Sequence, residues 1–339
     1  MDGRDAGGWS RREFLGGVTA AGAAGFLGLR SGPAAAEPPP ETTKLRVVHG
    51  SSICQAPQYV ADALLQAEGF NEVQYSRRDP GKITEALASG QADIAMLFLG
   101  PFLLRVDAGD PVVLLAGGHV GCLELFGTDR VRAIRDLKGK AVAVTALGGP
   151  SHVFLAIMAT HVGLDPHKDI RWVVQPGPET VRLLAEGKVD ALMSAPPETQ
   201  ELRARRIGHV VVNTSVDRPW SQYFCCMVVG NREFVRKHPV ATKRALRAIL
   251  KGADMCALEP DRAARSLVTR GFTTRYDYAL QAMKEVPYGK WREYDPEDTV
   301  RFYALRLHEA GMIKNNPQKI IAQGTDWRFL NELKKELKG

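Results

Sequence analysis

The chain has 339 residues, with 45 Lys and Arg against 38 Asp and Glu, and a formal net charge of +7 at pH 7. The basic excess is mild, and its densest clusters stand among acidic residues on helix-like segments, which argues against a nucleic-acid-binding protein. The five cysteines show neither CxxC spacing nor high density, which excludes a disulfide framework and favours buried free thiols.

The first 36 residues have the three parts of an export signal. Residues 10–15 spell the twin-arginine sequence SRREFL, residues 14–29 are weakly apolar and rich in Gly and Ala, and residues 34–36 are alanines. We interpret this segment as a Tat signal peptide that is cleaved near Ala36. The chain is then expected to use the Tat translocase, to cross the membrane already folded, and to work in the periplasm.

A repeat organises the remaining chain. The sequence LASGQADIAM at 87–96 returns as LAEGKVDALM at 184–193. In each copy a glycine, Gly90 or Gly187, closes a helix, and an aspartate, Asp93 or Asp190, begins a strand. The chain left after residue 36 is near the size at which one core divides into two, so the repeat predicts two lobes built to one plan.

The elements around the repeat follow the same order in both halves. A strand at 44–49 and a helix at 57–68 match a strand at 141–145 and a helix at 151–162, which predicts parallel sheets with crossover helices. Further strands are expected at 112–116, 210–212 and 224–229, and helices from residue 239 onward. We therefore predict a Pro-rich tether at 37–43, a first lobe from 44–128 and 222–339, a second lobe from 129–221, and a hinge where the chain crosses twice.

The order of these motifs resembles a known family. The leader, the QAP sequence in the loop after the first strand, the paired LAxGxxD elements and DLKGK at 136–140 are similar to substrate-binding proteins of ABC importers of the nitrate, sulfonate and taurine type, also called SsuA/THI5-like or NMT1-type. The resemblance implies an α/β type II periplasmic-binding-protein fold of two hinged lobes with a helical C-terminal segment. It also implies a small-molecule solute and delivery to the transmembrane subunits of an ABC permease. We expect a monomer without cofactor, metal or catalytic activity.

Ligands of open α/β sheets bind beyond the carboxyl ends of the strands, where loops lead into helices. Five such loops are readable, at 49–56, 97–101, 117–121, 146–152 and 194–198, and they contain no Lys or Arg. Backbone amides at helix starts attract anions, so a sulfonate, nitrate or carboxylate is the favoured solute. The candidate ligand-binding residues are Ser51, Ser52, Gln55, Phe98, Leu99, Gly100, His119, Gly149, Ser151, His152, Ala195, Pro196, Glu198, Trp220 and Tyr223.

Several candidates have a second interpretation. Glu198 and Glu124 suit an amine or a heterocyclic N–H donor, although Glu198 would also stabilise a helix start without a ligand. Trp220 and Tyr223 either cover the cleft or pack near the hinge. His49, His119 and His152 are spaced too irregularly in the sequence to indicate a metal site.

An enzyme on the same fold is the main alternative. Cys54 lies in the loop after the first strand, where the chain resembles the aromatic sulfinate desulfinases that use a nucleophilic cysteine. The pair Cys225 and Cys226 is weakly similar to the cysteine run of THI5-like pyrimidine synthases. A periplasmic ligand-binding protein that serves a sensor is the third hypothesis.

Overall fold

The computed structural model describes residues 37–79 and 81–337, so the expected signal peptide lies outside the described residues. Within them, ten strands form two sheets of five. The strands are β1 Lys44–His49, β2 Glu72–Arg77, β3 Ile94–Phe98, β4 Val112–Val120, β5 Glu124–Gly127, β6 Lys140–Val144, β7 Ile170–Val174, β8 Ala191–Ser194, β9 His209–Asn213 and β10 Phe224–Asn231.

Helices connect these strands and form the C-terminal part of the chain. The expected helix at 57–68 is two shorter ones, because the chain turns at Ala61. The α-helices are α1 Ala56–Val60, α2 Asp62–Ala67, α3 Ile83–Ala88, α4 Leu99–Asp107, α5 Pro150–His161, α6 Gly177–Ala185, α7 Glu198–Ala204, α8 Arg232–Lys237, α9 Pro239–Leu258, α10 Pro260–Thr269, α11 Tyr276–Glu285, α12 Pro296–Glu309, α13 Pro317–Gly324 and α14 Arg328–Glu336. Short 3₁₀ helices lie at Ile53–Gln55, Ile134–Leu137, Trp220–Gln222 and Tyr288–Arg292. No helix in the described ranges is long and apolar enough to span a membrane.

Both sheets are mixed: the expected parallel strands are present in each, and each sheet also contains one antiparallel strand. The first sheet has the order β2-β1-β3-β10-β4 and the second has the order β7-β6-β8-β5-β9. In the first sheet β2, β1 and β3 run parallel, and in the second β7, β6 and β8 do. Strand β10 is antiparallel to β3, and β5 is antiparallel to β8. Both antiparallel strands directly follow a crossing between the sheets. Each therefore begins at the edge where the parallel strands end, so it runs in the opposite direction to them.

The two crossings connect the sheets at 121–123 and 214–223. Strand β5 therefore belongs to the second sheet, although the sequence assigned residues up to 128 to the first lobe. At Gly121 the backbone has φ +54°, and a Cβ atom there would lie 2.4 Å from the Cα of Ser215 in the other crossing. This close approach of the two crossings requires glycine.

One residue of the expected tether, Glu41, binds the start of a helix. The Glu41 carboxylate accepts hydrogen bonds from the backbone N–H groups of Val240 and Ala241, at 3.0 and 2.9 Å. These are unsatisfied donors of the first turn of α9, and a carboxylate at that position also interacts favourably with the helix dipole. Glu41 therefore stabilises the start of the longest described helix.

The internal repeat has a common structural role in both sheets. Gly90 and Gly187 close their helices with φ values of +72° and +66°. The Asp93 carboxylate then accepts the backbone N–H of Arg46 on β1, and the Asp190 carboxylate accepts that of Ala141 on β6, both at 2.8 Å. An arginine side chain binds each aspartate, Arg46 in the first copy and Arg130 in the second. The repeated aspartate thus joins the start of one strand to its neighbour.

Replacing Asp93 with alanine should destabilise the fold. The Asp93 side chain is 5% exposed, and its loss leaves a backbone N–H and a guanidinium without their partner, so we expect a loss of about 3 kcal/mol in the free energy of unfolding. Urea denaturation measures it. The matched control is Asp129→Ala, because that carboxylate is 94% exposed beside Arg132, and it should change stability by less than about 0.5 kcal/mol. Equal effects of the two changes would contradict the structural role of Asp93.

Candidate functional site

The loops after β1 and β8 meet and connect the two sheets. The Ile53 N–H and the Ser52 hydroxyl both donate to the carbonyl oxygen of Pro196, each at 3.0 Å. Pro196 precedes a cis peptide bond to Pro197, and this turn ends at the first residue of α7. Two residues that the sequence placed in separate predicted ligand loops, Ser52 and Pro196, are therefore in contact.

The neighbours of Ser52 have different roles. Ser51 is exposed, whereas Gln55 is buried. The Gln55 side-chain oxygen accepts from the Gly50 N–H at 3.2 Å, the Gln58 amide at 3.1 Å and the Tyr59 hydroxyl at 2.9 Å. Gln55 therefore has its acceptor occupied by the protein and acts as the organiser of the loop.

A second connection, between the second sheet and the C-terminal helices, is ionic. Arg203 on α7 lies 3.4 Å from Glu124 and also binds Glu285 on α11. The Gln200 amide donates to the same Glu285 carboxylate at 3.1 Å. Sequence reasoning identifies Glu124 but assigns no function to Arg203 and Glu285, because both lie in helices outside the five predicted ligand loops.

Glu124 is the most perturbed carboxyl of this connection. Burial raises its pKa to about 7, with Arg203 opposing and Glu285 adding to the shift. One of its carboxylate oxygens is buried without a hydrogen-bond partner. A buried carboxylate with an unpaired oxygen is energetically costly. The protonation state of Glu124 can therefore change when a ligand binds beside it.

Glu198 begins α7 and accepts a hydrogen bond from the Ser194 hydroxyl. Burial raises its pKa, while the Ser194 bond lowers it. Ser194 is the register partner of Glu124 on the neighbouring strand. Glu124 and Glu198 therefore lie at the same carboxyl edge of the second sheet, with the half-buried Ala195 between β8 and the Pro196 turn.

Thiol and imidazole groups form a buried cluster beside Ser52. The donor atoms of Cys54, His119, Cys122 and Cys226 all lie within 4.8 Å of one another. Cys226 is the register partner of His119, and a bulge in β10 at Cys225 turns both cysteines of the pair toward Cys122. The Cys122 and Cys225 sulfurs are 3.5 Å apart. The sequence spacing gave no sign of this cluster, whose members come from three separate segments.

Within this cluster His119 is fully buried, and its Nε2 has no hydrogen-bond partner. Its Nδ1 lies 3.4 Å from the carbonyl oxygen of Val120, and the ring packs edge-on against Tyr288 with centroids 5.3 Å apart. Hydrogen bonding at Nδ1 leaves Nε2 with its lone pair. Together these four side chains could hold a metal ion.

The start of α5 contains three predicted residues. Gly149 precedes the helix, and Ser151 and His152 are buried in its first turn. His152 Nδ1 accepts the Gly148 N–H at 3.1 Å, and burial lowers the pKa of His152 to about 4. His152 is thus neutral at pH 7 and stabilises the loop before the helix.

Among the predicted aromatic and apolar residues, Phe98, Leu99 and Trp220 are buried, whereas Tyr223 is half-buried. Tyr223 stacks on Phe302 with centroids 3.9 Å apart, and Phe98 stacks on Phe154 at 4.6 Å. Trp220 packs edge-on against Phe154 at 5.6 Å. Leu99 is buried, and a Cβ on Gly100 would lie 2.6 Å from both Phe98 and Val153. The packing interpretation of Trp220 and Tyr223 fits these contacts.

The family described as NMT1/THI5 like matches residues 56–263. Among curated proteins, the 4-amino-5-hydroxymethyl-2-methylpyrimidine phosphate synthase THI12 of Saccharomyces cerevisiae is 24% identical over 232 residues, which are 62% of this chain and 67% of that protein.

Solved structures share the fold. The periplasmic nitrate-binding protein NrtA from Synechocystis PCC 6803 superposes with a TM-score of 0.75 at 16% identity, covering 89% of this chain and 90% of that one. The alkanesulfonate-binding protein SsuA from Xanthomonas axonopodis pv. citri gives 0.67 at 14% identity, covering 85% and 99%. The predicted periplasmic-binding-protein fold is confirmed.

The raised pKa of Glu124 predicts a pH-dependent stability. Its folded value of about 7 exceeds the ordinary 4.5, so its contribution is fully present below pH 4.5 and is lost as the pH rises through 7. Between pH 5 and 8 the wild type should lose up to about 3 kcal/mol more unfolding free energy than Glu124→Gln. Denaturation at several pH values measures this difference. The control Glu233→Gln removes an exposed carboxylate whose pKa is lowered by Lys237 and should retain the wild-type slope; parallel curves for Glu124→Gln would contradict the assignment.

Proposed function

Since the chain belongs to the NMT1/THI5-like family, we propose that it is the periplasmic solute-binding component of an ABC importer. It acts as a monomer, captures a small solute between its two sheets and delivers it to the transmembrane subunits of a permease. The observation that carries the proposal is the contact of Ser52 and Ile53 with Pro196. This contact joins the carboxyl edges of the two sheets, which is where ligands bind in α/β folds.

The groups that pair across this contact are also the groups that a solute can use. When the sheets separate, the Ile53 N–H and the Ser52 hydroxyl lose their acceptor, and the Pro196 carbonyl loses its donors. A solute that replaces these bonds stabilises one arrangement of the sheets over another and shifts the population toward it. The function follows from hydrogen bonds that either the protein or the solute can satisfy.

The favoured solute class is a small oxyanion, such as a sulfonate, nitrate or carboxylate. Its oxygens would accept from the Ile53 N–H and the Ser52 hydroxyl, and charge-assisted bonds of this kind are stronger than neutral ones. Glu124, whose pKa burial raises to about 7, can present an O–H donor at neutral pH. Arg203 adds a guanidinium that already bridges Glu124 and Glu285.

An amine or a heterocyclic N–H donor is the second candidate solute class. Glu198 and the partnerless oxygen of Glu124 favour it, because both are acceptors when ionised. Binding of a cation would hold these carboxylates in the ionised form and lower their pKa values. The two solute classes therefore predict opposite proton exchange. The protein should take up protons when it binds an anion and release protons when it binds an amine.

The Cys54 enzyme hypothesis has less support. A nucleophilic cysteine needs a lowered pKa, but contact with the Cys122 thiol and burial raise the pKa of Cys54. Cys54 is also buried. Slow alkylation of Cys54 by iodoacetamide in the native protein, compared with the unfolded chain, is expected; rapid alkylation with loss of a sulfinate-cleaving activity would support the enzyme instead.

Export through the Tat translocase belongs to the same proposal. The twin-arginine sequence at 10–15 and the alanines at 34–36 support it. Replacing Arg11 and Arg12 with lysines should leave the protein in the cytoplasm, and fractionation with antibody detection measures the distribution. Unchanged export of that variant would remove the Tat route while leaving the binding role open.

A ligand screen tests the binding role directly. The mature chain, residues 37–339, is heated with sulfonates, nitrate, carboxylates, pyrimidines and amines, because a ligand at 100 times its Kd adds about 2.7 kcal/mol of stability. We expect a concentration-dependent rise in melting temperature with one solute class. Calorimetry in buffers of different ionisation enthalpy then gives the direction of proton exchange. The absence of any shift, together with turnover of a sulfinate, would overturn the binding role.

Ser52 provides the site-specific test. Ser52→Ala removes the hydroxyl that donates to Pro196, and the loss of one hydrogen bond should weaken solute binding about three- to tenfold. Ser89→Ala is the matched control, because its hydroxyl donates within its own helix to Ala86. The melting temperatures without solute should remain close. Unchanged affinity in Ser52→Ala would place the solute elsewhere.

A further inference from the structure

We propose that Cys54, His119, Cys122 and Cys226 bind one thiophilic metal ion, Zn²⁺ or Cu⁺, through three thiolates and one imidazole. The inference goes beyond the proposed function and does not depend on which solute is carried. It rests on the geometry of the buried thiol and imidazole cluster and on the chemistry of its donor atoms.

The distances suit a single ion. The four donor atoms lie within 4.8 Å of one another. In a tetrahedral zinc site, ligand atoms at about 2.3 Å from the metal are about 3.8 Å apart. The widest pair therefore has to move closer by at most about 1 Å, which side-chain rotation can provide.

The donor set is selective. Three sulfurs and one imidazole nitrogen form the Cys₃His combination of closed structural zinc sites, and soft sulfur ligands also favour Cu⁺. Hard ions such as Mg²⁺ and Ca²⁺ prefer oxygen ligands, and the four donors contain none. All four residues are buried, so an ion here would be enclosed by protein.

His119 is the independent sign of a ligand. The residue is 0% exposed, and its Nε2 has no hydrogen-bond partner. Neither solvent water nor the described part of the chain therefore satisfies this nitrogen. The Val120 carbonyl lies near the other ring nitrogen, and such a contact commonly orients a metal-binding histidine and fixes its tautomer. A metal ion would supply a partner for Nε2, with the three cysteine sulfurs within 4.8 Å as its other ligands.

The surroundings of the cluster support the same chemistry. The Cys225 thiol lies 3.5 Å from the Cys122 sulfur and the Ser52 hydroxyl lies 3.0 Å from the Cys54 sulfur. Both groups can donate hydrogen bonds to thiolates, which would spread their negative charge. Free thiols oxidise readily in a periplasm, and coordination would protect them. Export of a folded chain, as proposed above, would allow the ion to be acquired beforehand.

Metal titration tests the proposal. The full chain is purified without oxygen, stripped with a chelator and titrated with Co²⁺, whose tetrahedral thiolate complexes show sulfur-to-cobalt charge-transfer and visible bands. We expect saturation near one equivalent, followed by displacement with Zn²⁺. Competition between Zn²⁺ and Cu⁺ with a chromophoric chelator for each ion then shows which the site prefers. No thiolate spectrum with the wild-type chain would overturn the proposal.

Cysteine variants assign the ligands. Cys122→Ser and Cys226→Ser should lower the affinity for Co²⁺ at least about 100-fold, and His119→Ala should remove the nitrogen ligand. Cys256→Ser is the matched control, because Cys256 is a buried free cysteine outside the cluster. Retention of the cobalt spectrum by all three cluster variants would overturn the assignment.

A measurement on the wild type alone guards against variants that fail to fold. X-ray absorption of the zinc-loaded chain should give about three sulfurs near 2.3 Å and one nitrogen near 2.0 Å. A shell of oxygen and nitrogen only would overturn the proposal. So would mass spectrometry that finds a Cys122–Cys225 disulfide in the chain purified without oxygen, because that bond would consume one of the ligands.

Discussion

The hydroxyl of Thr214 determines how the two sheets are joined. It accepts the backbone N–H groups of Cys122 and Leu123, each at 3.1 Å, and donates to the Leu123 carbonyl at 2.8 Å. These backbone groups lie in the first crossing, outside the strand ladders, and buried backbone groups need partners. One side chain of the second crossing provides them. Because the two crossings are tied together here, motion between the sheets has to occur around this point.

The thiol and imidazole cluster and the solute contacts lie on either side of the Thr214 hydrogen bonds. Cys122, which Thr214 positions, is a member of the thiol and imidazole cluster, and Glu124 begins the next strand. Cys54, His119 and Cys226 belong to the first sheet or its loops, whereas Glu124 pairs within the second. A metal ion would thus link the first sheet to the crossing, and the solute contacts would link the two sheets. Opening of the solute contacts does not require the metal ligands to separate.

The sequence predicted much of the fold because local signals and the repeat agreed. The strand at Lys44–His49 has the predicted bounds, and Gly90 and Gly187 close their helices as expected. The direction of β5 and β10 was not predictable in this way, because it depends on where each crossing enters its sheet. Strand patterns in the sequence identify strands but carry no direction.

The site was predictable only where it lay in loops. Ser52 and Pro196 came from two loops expected at the same edge, and they meet. Cys226 and Glu285 were inaccessible to that argument, since one lies in a strand and the other in a helix. The nearest signal was that Cys54 and His119 lie in two of the five predicted ligand loops. Loops that share an edge bring donors together over long sequence separations, and motif spacing does not detect this.

Ser52 connects the two proposals, because its hydroxyl has only one proton to donate. It donates that proton to Pro196, so its contact with the Cys54 sulfur at 3.0 Å is one in which the thiol donates. A metal-bound thiolate has no proton and competes with Pro196 for the Ser52 donor. The ion therefore favours separation of Ser52 from Pro196, which is also the change that admits a solute. By the reciprocity of linked equilibria, a solute that holds the Ser52 hydroxyl away from Pro196 alters metal affinity by the same factor by which the metal alters solute affinity.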